Sequence, residues 1–217
     1  MTEPTVFIVD DLPENRASLE ALVESMGLKS ESYPSGESFL ENFDRQQPGC
    51  LVTDIVMPGG MSGIELQARL AQEEVPLPVI VISAHAETEI TVKAMQQGAL
   101  TLLDKPYDSR ELEEMVRRAI ELDAAQRQSQ AVKDGVRQRL AQLTPSEREV
   151  LDLMVAGCAN KVIASRLGVS IRTVETRRHN IFEKLGAKSV AELVRMLLAV
   201  EPHQAFNYND SKNGPQE

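Results

Sequence analysis

Leu51-Val52-Thr53-Asp54-Ile55-Val56-Met57-Pro58 reads as a short apolar strand that ends in a carboxylate and is stopped by Met-Pro-Gly-Gly. An ionised Asp at the end of a buried strand loses hydration and needs a partner. Asp10-Asp11, Ser83 and Lys105 supply candidates, and each follows an apolar run of strand length, at 6–9, 79–82 and 100–103. In a parallel α/β sheet the carboxyl ends of the strands converge on one edge, where ligands bind. These strand ends would bring the carboxylates of Asp10, Asp11 and Asp54, the Ser83 hydroxyl and the Lys105 ammonium to one place. Such a set can hold a divalent metal and a phosphoryl group.

Working outward, the first 121 residues alternate strand-length apolar runs with amphipathic stretches, the rhythm of a parallel sheet covered on both faces. Pro13 can start a helix whose apolar positions are Ala17, Leu19, Leu22, Val23 and Met26, with Gly27 as its C-cap. A weak strand at 28–33 precedes a short helix carrying Phe39, Leu40 and Phe43. Further helices are expected near 63–72 and 87–97, the latter ended by Gly98. Asp108-Ser109-Arg110-Glu111 has the form of a capping box. The helix it opens shows no convincing stop, so 109–140 reads as a helix running into a polar linker that frays near Gly135. Leu112, Met115, Ala119 and Leu122 could form a coiled-coil seam, but packing on the chain's own sheet is favoured before residue 120.

A second domain opens at Leu143-Thr144-Pro145-Ser146-Glu147, with Thr144 as N-cap, Pro145 at the first helical position and Glu147 closing a capping box. Gly157, Gly168-Val169-Ser170, Gly186 and Ser189 then punctuate further helices. Short helices 160–167 and 171–185, joined by a three-residue turn containing Gly168, have the helix-turn-helix form. The division is therefore 1–121, a helical linker 122–142, a second domain 143–200 and a disordered polar tail 201–217.

Composition narrows the class. A length of 217 residues fits two domains, and 42% hydrophobic with 26% charged residues is a globular balance. No apolar run approaches a membrane span, and Met1-Thr2-Glu3-Pro4 lacks the basic region of a signal peptide. Cys50 and Cys158 lie far apart and read as free thiols in a reducing compartment, which places the protein in the cytoplasm. The net charge of −10 is unevenly spread: residues 1–122 hold 22 acids against 9 bases, residues 143–200 only 6 against 9. A nucleic-acid partner suits the second half alone.

With those motifs in place, residues 5–121 resemble a two-component receiver domain, with Asp10-Asp11, Asp54, Ser83 and Lys105-Pro106 at its signature positions. The resemblance implies a doubly wound, flavodoxin-like α/β domain with a five-stranded parallel sheet. It implies that Asp54 accepts a phosphoryl group from a sensor histidine kinase in a Mg²⁺-dependent reaction, assisted by Ser83 and Lys105. Asp10, Asp11, Asp54 and the Val56 backbone carbonyl would hold the metal, Asp10 through a water, and Lys105-Pro106 would be a cis peptide. Position 102, often aromatic in the family, is Leu102. The 57–63 loop looks one residue longer than usual, and its extra Gly is expected to loosen it. Val56 and His85 would flank the path of a hydrolytic water. Phosphohydrolases with an aspartyl nucleophile keep a second Asp as general acid where this chain has Val56, so a substrate-turnover enzyme is disfavoured.

Residues 144–198 resemble a LuxR/FixJ-type helix-turn-helix of four helices, through Asn160-Lys161, Ile163-Ala164, Leu167-Gly168-Val169-Ser170, Thr173-Val174-Glu175 and Lys184-Leu185. Ile163, Ala164, Leu167, Val169, Val174, Ile181 and Leu185 have the spacing of a core. Arg172, Thr173, Thr176, Arg177, Asn180 and Lys184 would face DNA, with Lys161 and Lys184 on phosphate and Arg177 and Asn180 reaching base edges. The resemblance adds Val174 as an apolar contact. It implies a DNA-binding response regulator that pairs as a homodimer on activation, acts on double-stranded promoter DNA, and has RNA polymerase as a possible further partner. The alternative is a phosphorylation-independent DNA binder that uses the receiver as a dimerisation platform.

Overall fold

Successive strand residues point to opposite faces of a sheet, and here both faces are apolar, which requires helices on each side. The computed structural model describes residues 3–84 and 88–201. Strands β1 (Thr5–Val9), β2 (Lys29–Tyr33), β3 (Gly49–Asp54), β4 (Val79–Ser83) and β5 (Thr101–Asp104) are parallel and ordered β2-β1-β3-β4-β5. They alternate with α1 (Pro13–Ser25), α2 (Gly36–Asn42), α3 (Gly63–Gln72), α4 (Thr88–Gln96) and α5 (Ser109–Leu140).

Phe7, Val9, Leu51, Val79 and Val81 pack on one face with Phe39 of α2, Ile64, Leu66 and Leu70 of α3, and Ala94 of α4. Their neighbours Val6, Ile8, Cys50, Val52, Ile80 and Ile82 pack on the other with Leu19 and Val23 of α1 and Leu112, Val116 and Ala119 of α5. The sheet is doubly wound, and its order changes direction between β1 and β3, where a crevice forms outside the strand ends. Asp10, Asp11 and Asp54 follow or end those two strands.

Several expectations shift. β5 begins at Thr101 rather than Leu100 and extends to Asp104, paired with Ser83; Lys105 N–H then donates to the Ser83 carbonyl at 2.7 Å. The Asp108 carboxylate accepts from Arg110 N–H at 2.8 Å, so the cap acts on the second helical residue rather than the third. α5 does not fray at Gly135: the helix continues to Leu140, and the Gly135 carbonyl takes an added bond from Arg139 Nε at 3.2 Å. Leu112 and Ala119 are buried against the sheet while Leu122 is exposed, so packing on the parent sheet wins over a seam.

The chain divides into compact units at Gln128/Ser129. In the second, α6 (Pro145–Val155), α7 (Asn160–Leu167), α8 (Ile171–Leu185) and α9 (Val190–Val200) enclose a core of Val150, Leu151, Leu153, Met154, Ile163, Val174, Ile181, Leu185 and Leu193. Val136 and Leu140, at the end of α5, are buried in that same core. The Thr144 capping box forms in full, with Glu147 N–H on Thr144 Oγ1 at 3.3 Å and Thr144 N–H on Glu147 Oε2 at 2.8 Å. Gly168 takes φ +65°, a left-handed conformation that costs glycine nothing, and Ser170 caps α8 through Thr173 N–H at 3.1 Å. Among the described residues no helix is long and apolar enough to cross a membrane. Of the expected disordered tail 201–217, Glu201 donates its N–H to the Leu197 carbonyl at 2.7 Å and pairs with Arg148, and the rest lies outside the described residues.

Candidate functional site: an acidic sheet edge and an exposed recognition helix

The strand ends assemble as the spacing predicts. Asp54, at the end of β3, accepts from Val56 N–H at 3.1 Å through Oδ1 and from the Lys105 ammonium through Oδ2. The same ammonium lies 3.2 Å from Asp10 Oδ2. Lys105 reaches both carboxylates from the loop after β5, and its bond to Pro106 is cis, as expected. Burial pushes the lysine toward neutrality, but Asp54 and Asp10 outweigh it and hold its pKa above the usual value. Ser83 ends β4, buried, one strand over from Asp54.

Asp10 is 1% exposed and carries the densest set of contacts. Leu12 N–H donates to Oδ1 at 2.9 Å, and Asn15 Nδ2 donates to both oxygens at 3.1 Å. Arg16 Nη1 donates to the carbonyls of Asp10 at 2.8 Å and Asp11 at 3.1 Å, bracing the main chain between them. Neither Asn15 nor Arg16 stood out in the sequence. Their sign was their place: the first turn of α1 returns side chains to the strand end it follows.

Close packing fixes the other wall. A Cβ on Gly63 would lie 2.1 Å from the Asp54 carbonyl oxygen, so α3 can start this near β3 only with glycine. The long Gly-rich loop is not loose. Glu37 Oε1 accepts Met61 N–H at 2.7 Å, and Ser62 forms a full capping box with Glu65. Its own backbone N–H, then that of Met61, holds the Glu37 carboxyl below its ordinary pKa, and the Ser62 N–H does the same for Glu65. Glu37 therefore anchors what the added glycine would free. Leu102 packs against the core on the α3–α4 side of the sheet. Val56 is 62% exposed beside Asp54, and His85 lies outside the described residues.

Receiver domains generally bind Mg²⁺, and the donors here fit a hard cation in type: carboxylates and backbone carbonyls. Among the described residues no three acidic, histidine or cysteine side chains stand ready as a metal-holding group. Lys105 occupies the space between Asp10 and Asp54, so a cation ligating both would have to displace its ammonium.

On the second unit, Val174, Ile181 and Leu185 form the buried stripe of α8, and the opposite face is open. Arg172 and Thr176 lie on that exposed face, Thr173, Arg177 and Asn180 are half-buried along it, and Lys161 is exposed on α7. Thr173 Oγ1 lies 2.8 Å from Ser170 Oγ, within the cap. Glu175 and His179 also face out, one and two turns after Ile171. One expected contact fails, and a second expected residue is engaged within the domain. Val174 is fully buried, so its methyl groups serve the core and cannot meet DNA. Lys184 Nζ donates to Glu147 Oε2 at 2.6 Å and to the Gln142 carbonyl at 3.2 Å, so its charge is neutralised within the domain.

This fold and these strand ends define the class: a receiver followed by a helix-turn-helix. Residues 6–117 match the response regulator receiver domain, and residues 141–197 match the bacterial regulatory proteins of the luxR family. The transcriptional regulatory protein FixJ of Rhizobium meliloti is 41% identical over 92% of this chain and 97% of its own. FixJ of Azorhizobium caulinodans is 40% identical over 89% of this chain and 91% of its own. The solved structure of the response regulator StyR matches with a TM-score of 0.81 at 40% identity, over 90% of this chain and 98% of its own. FixJ-N matches with a TM-score of 0.52 at 36% identity, over 56% of this chain and 96% of its own. The chain belongs to the FixJ-like response regulators, transcription regulators that join a receiver domain to a LuxR-type DNA-binding domain.

Proposed function

We propose that this protein accepts a phosphoryl group on Asp54 from a sensor histidine kinase and thereby controls promoter binding by its helix-turn-helix. The observation that carries the reading is the Lys105 ammonium shared by Asp54 and Asp10 at the β1/β3 crevice. A phosphoryl group arriving there brings anionic oxygens, and Lys105 is the cation positioned to pair with them. An Asp54 oxygen forms the new P–O bond as the P–N bond of the donor histidine breaks, the electron pair leaving on the imidazole nitrogen. Ser83, one strand away, supplies a hydroxyl to a phosphoryl oxygen. Asp11, Asp54 and the Val56 carbonyl would hold Mg²⁺, with Asp10 beside them. When bound, the cation offsets phosphoryl charge.

In the second unit Arg172, Thr173, Thr176, Arg177 and Asn180 face double-stranded promoter DNA, and Lys161 meets phosphate. The surplus of bases in 143–200 is small, so phosphate contacts by one copy give little affinity. A homodimer formed on phosphorylation supplies the rest through effective concentration. The receiver comprises residues 1–121, the linker 122–142 and the DNA-binding domain 143–200. The protein works in the cytoplasm, turns over no small substrate, and has RNA polymerase as a candidate partner once on DNA.

The test is labelling with acetyl phosphate and Mg²⁺, followed by sedimentation and DNA binding. Wild type should gain one phosphoryl group, dimerise and bind DNA more tightly, while Asp54→Asn does none of these. Equal labelling of Asp54→Asn would move the acceptor elsewhere. Equal DNA affinity with and without the phosphoryl group would favour the phosphorylation-independent regulator.

A further inference from the structure

Asp10 has no lone pair to spare. A carboxylate offers about four acceptor sites, and Asp10 accepts from Leu12 N–H at 2.9 Å, from Asn15 Nδ2 at 3.1 Å on each oxygen, and from Lys105 Nζ at 3.2 Å. Its burial makes the loss of any one donor costly. Asp11 differs: its carboxylate is half-buried and takes no hydrogen bond from a described residue.

The donors to Asp10 are unequal. The Leu12 N–H is set by the chain's entry into α1, and Lys105 also binds Asp54, so it moves with the charge there. Asn15 is the neutral side chain of the set and has no other hydrogen bond among the described residues. Its amide orientation is unambiguous, because a carboxylate only accepts and the NH₂ must face it.

We infer that Asn15 is a positioning residue that withholds Asp10 from direct ligation and so weakens divalent-cation binding at the acidic edge. This rests on the cation reading proposed above. A cation ligating Asp10 must displace one of these donors, and displacing Asn15 leaves its amide without an acceptor, whereas ligation by Asp11 displaces none. Asn15 thus sets both the order in which the carboxylates engage and the affinity of the site. Removing its donors should leave Asp10 with accessible lone pairs.

Isothermal titration of the full chain with MgCl₂ tests this, using wild type, Asn15→Ala and the near-isosteric Asn15→Leu, with thermal melts in the absence of cation. Both variants should bind Mg²⁺ at least threefold more tightly than wild type, even though their cation-free melting temperature falls. Loss of a merely structural contact would lower that temperature without tightening the cation. Equal or weaker affinity in the variants, with wild type binding normally, would overturn the role of Asn15 alone. No binding by wild type would overturn the cation reading itself, and the role of Asn15 with it.

Discussion

Lys184 Nζ lies 2.6 Å from Glu147 Oε2, tying the helix expected to read DNA to the first turn of α6. The same oxygen takes the Thr144 N–H and hydroxyl, so one carboxylate closes a helix cap and an interhelical ion pair together. Lys184, foremost, then the Thr144 N–H, pull the Glu147 pKa down to about 2 from 4.5.

A carboxylate whose pKa is lowered by folding stabilises the fold above its unfolded value and loses that contribution as pH falls through its folded value. Stability of the DNA-binding unit should therefore decline as pH drops from about 4.5 toward 2. Glu147→Gln should cost about 1–3 kcal/mol at neutral pH and flatten that decline. Urea denaturation between neutral and acid pH checks both. A variant as stable and as acid-sensitive as wild type would mean the pair is idle.

Arg127 should prove a stability residue of the first unit. Asp123 is 1% exposed and receives Arg127 Nε at 2.8 Å and Gly49 N–H at 3.0 Å. The guanidinium also donates to the carbonyls of Arg45, Gln46 and Gln47 at 2.8–3.3 Å. Arg127→Ala strands a buried charge, which typically costs about 3–5 kcal/mol, and Arg127→Lys should recover only part because it lacks the planar fork. Urea midpoints of the three proteins would rank them; an unchanged Arg127→Ala would refute the clamp.

Gly63→Ala should disturb the site rather than only the helix. The added carbon would sit 2.1 Å from the Asp54 carbonyl oxygen and 3.0 Å from Thr53 Oγ1. Overpacking of this kind costs about 1–3 kcal/mol, and relief must move α3 or the end of β3. Acetyl phosphate labelling should slow along with the loss of stability. Labelling at the wild-type rate would place the strain elsewhere.

Phosphoryl-Asp54 should be long-lived. Val56 beside the acceptor is 62% exposed, and its side chain can neither donate to nor accept from a water. In-line hydrolysis needs that water oriented, so a lifetime of roughly minutes or longer is expected, shortened in Val56→Asn. Acid-quench measurement of bound phosphate decides it, and decay of wild type within seconds would contradict the account.

Much was legible in the chain itself. The run 51–58 with its companions at 6–9 and 79–82 specified a parallel sheet, because an apolar strand ending in a charged group admits few other placements. Thr144, Ser170, Gly168 and Gly186 marked helix ends through local chemistry, and local hydrogen bonds follow from near neighbours in sequence. Helical spacing also separated the buried face of α8 from its outer face. It failed at Lys184, which a surface periodicity assigns to solvent and which Glu147, 37 residues away, claims.

Tertiary structure alone decided which partners meet. Asn15 joins Asp10, Glu37 restrains the glycine loop, and Arg127 covers Asp123 and the carbonyls before β3. None of these follows from composition or period, since each depends on where one element ends relative to another. The sequence by itself determined the strands, the helix caps and the acids at the sheet edge, all local choices of backbone and burial. The fold decided how each buried charge is satisfied, because a buried charge takes whichever donor packing brings within hydrogen-bond reach.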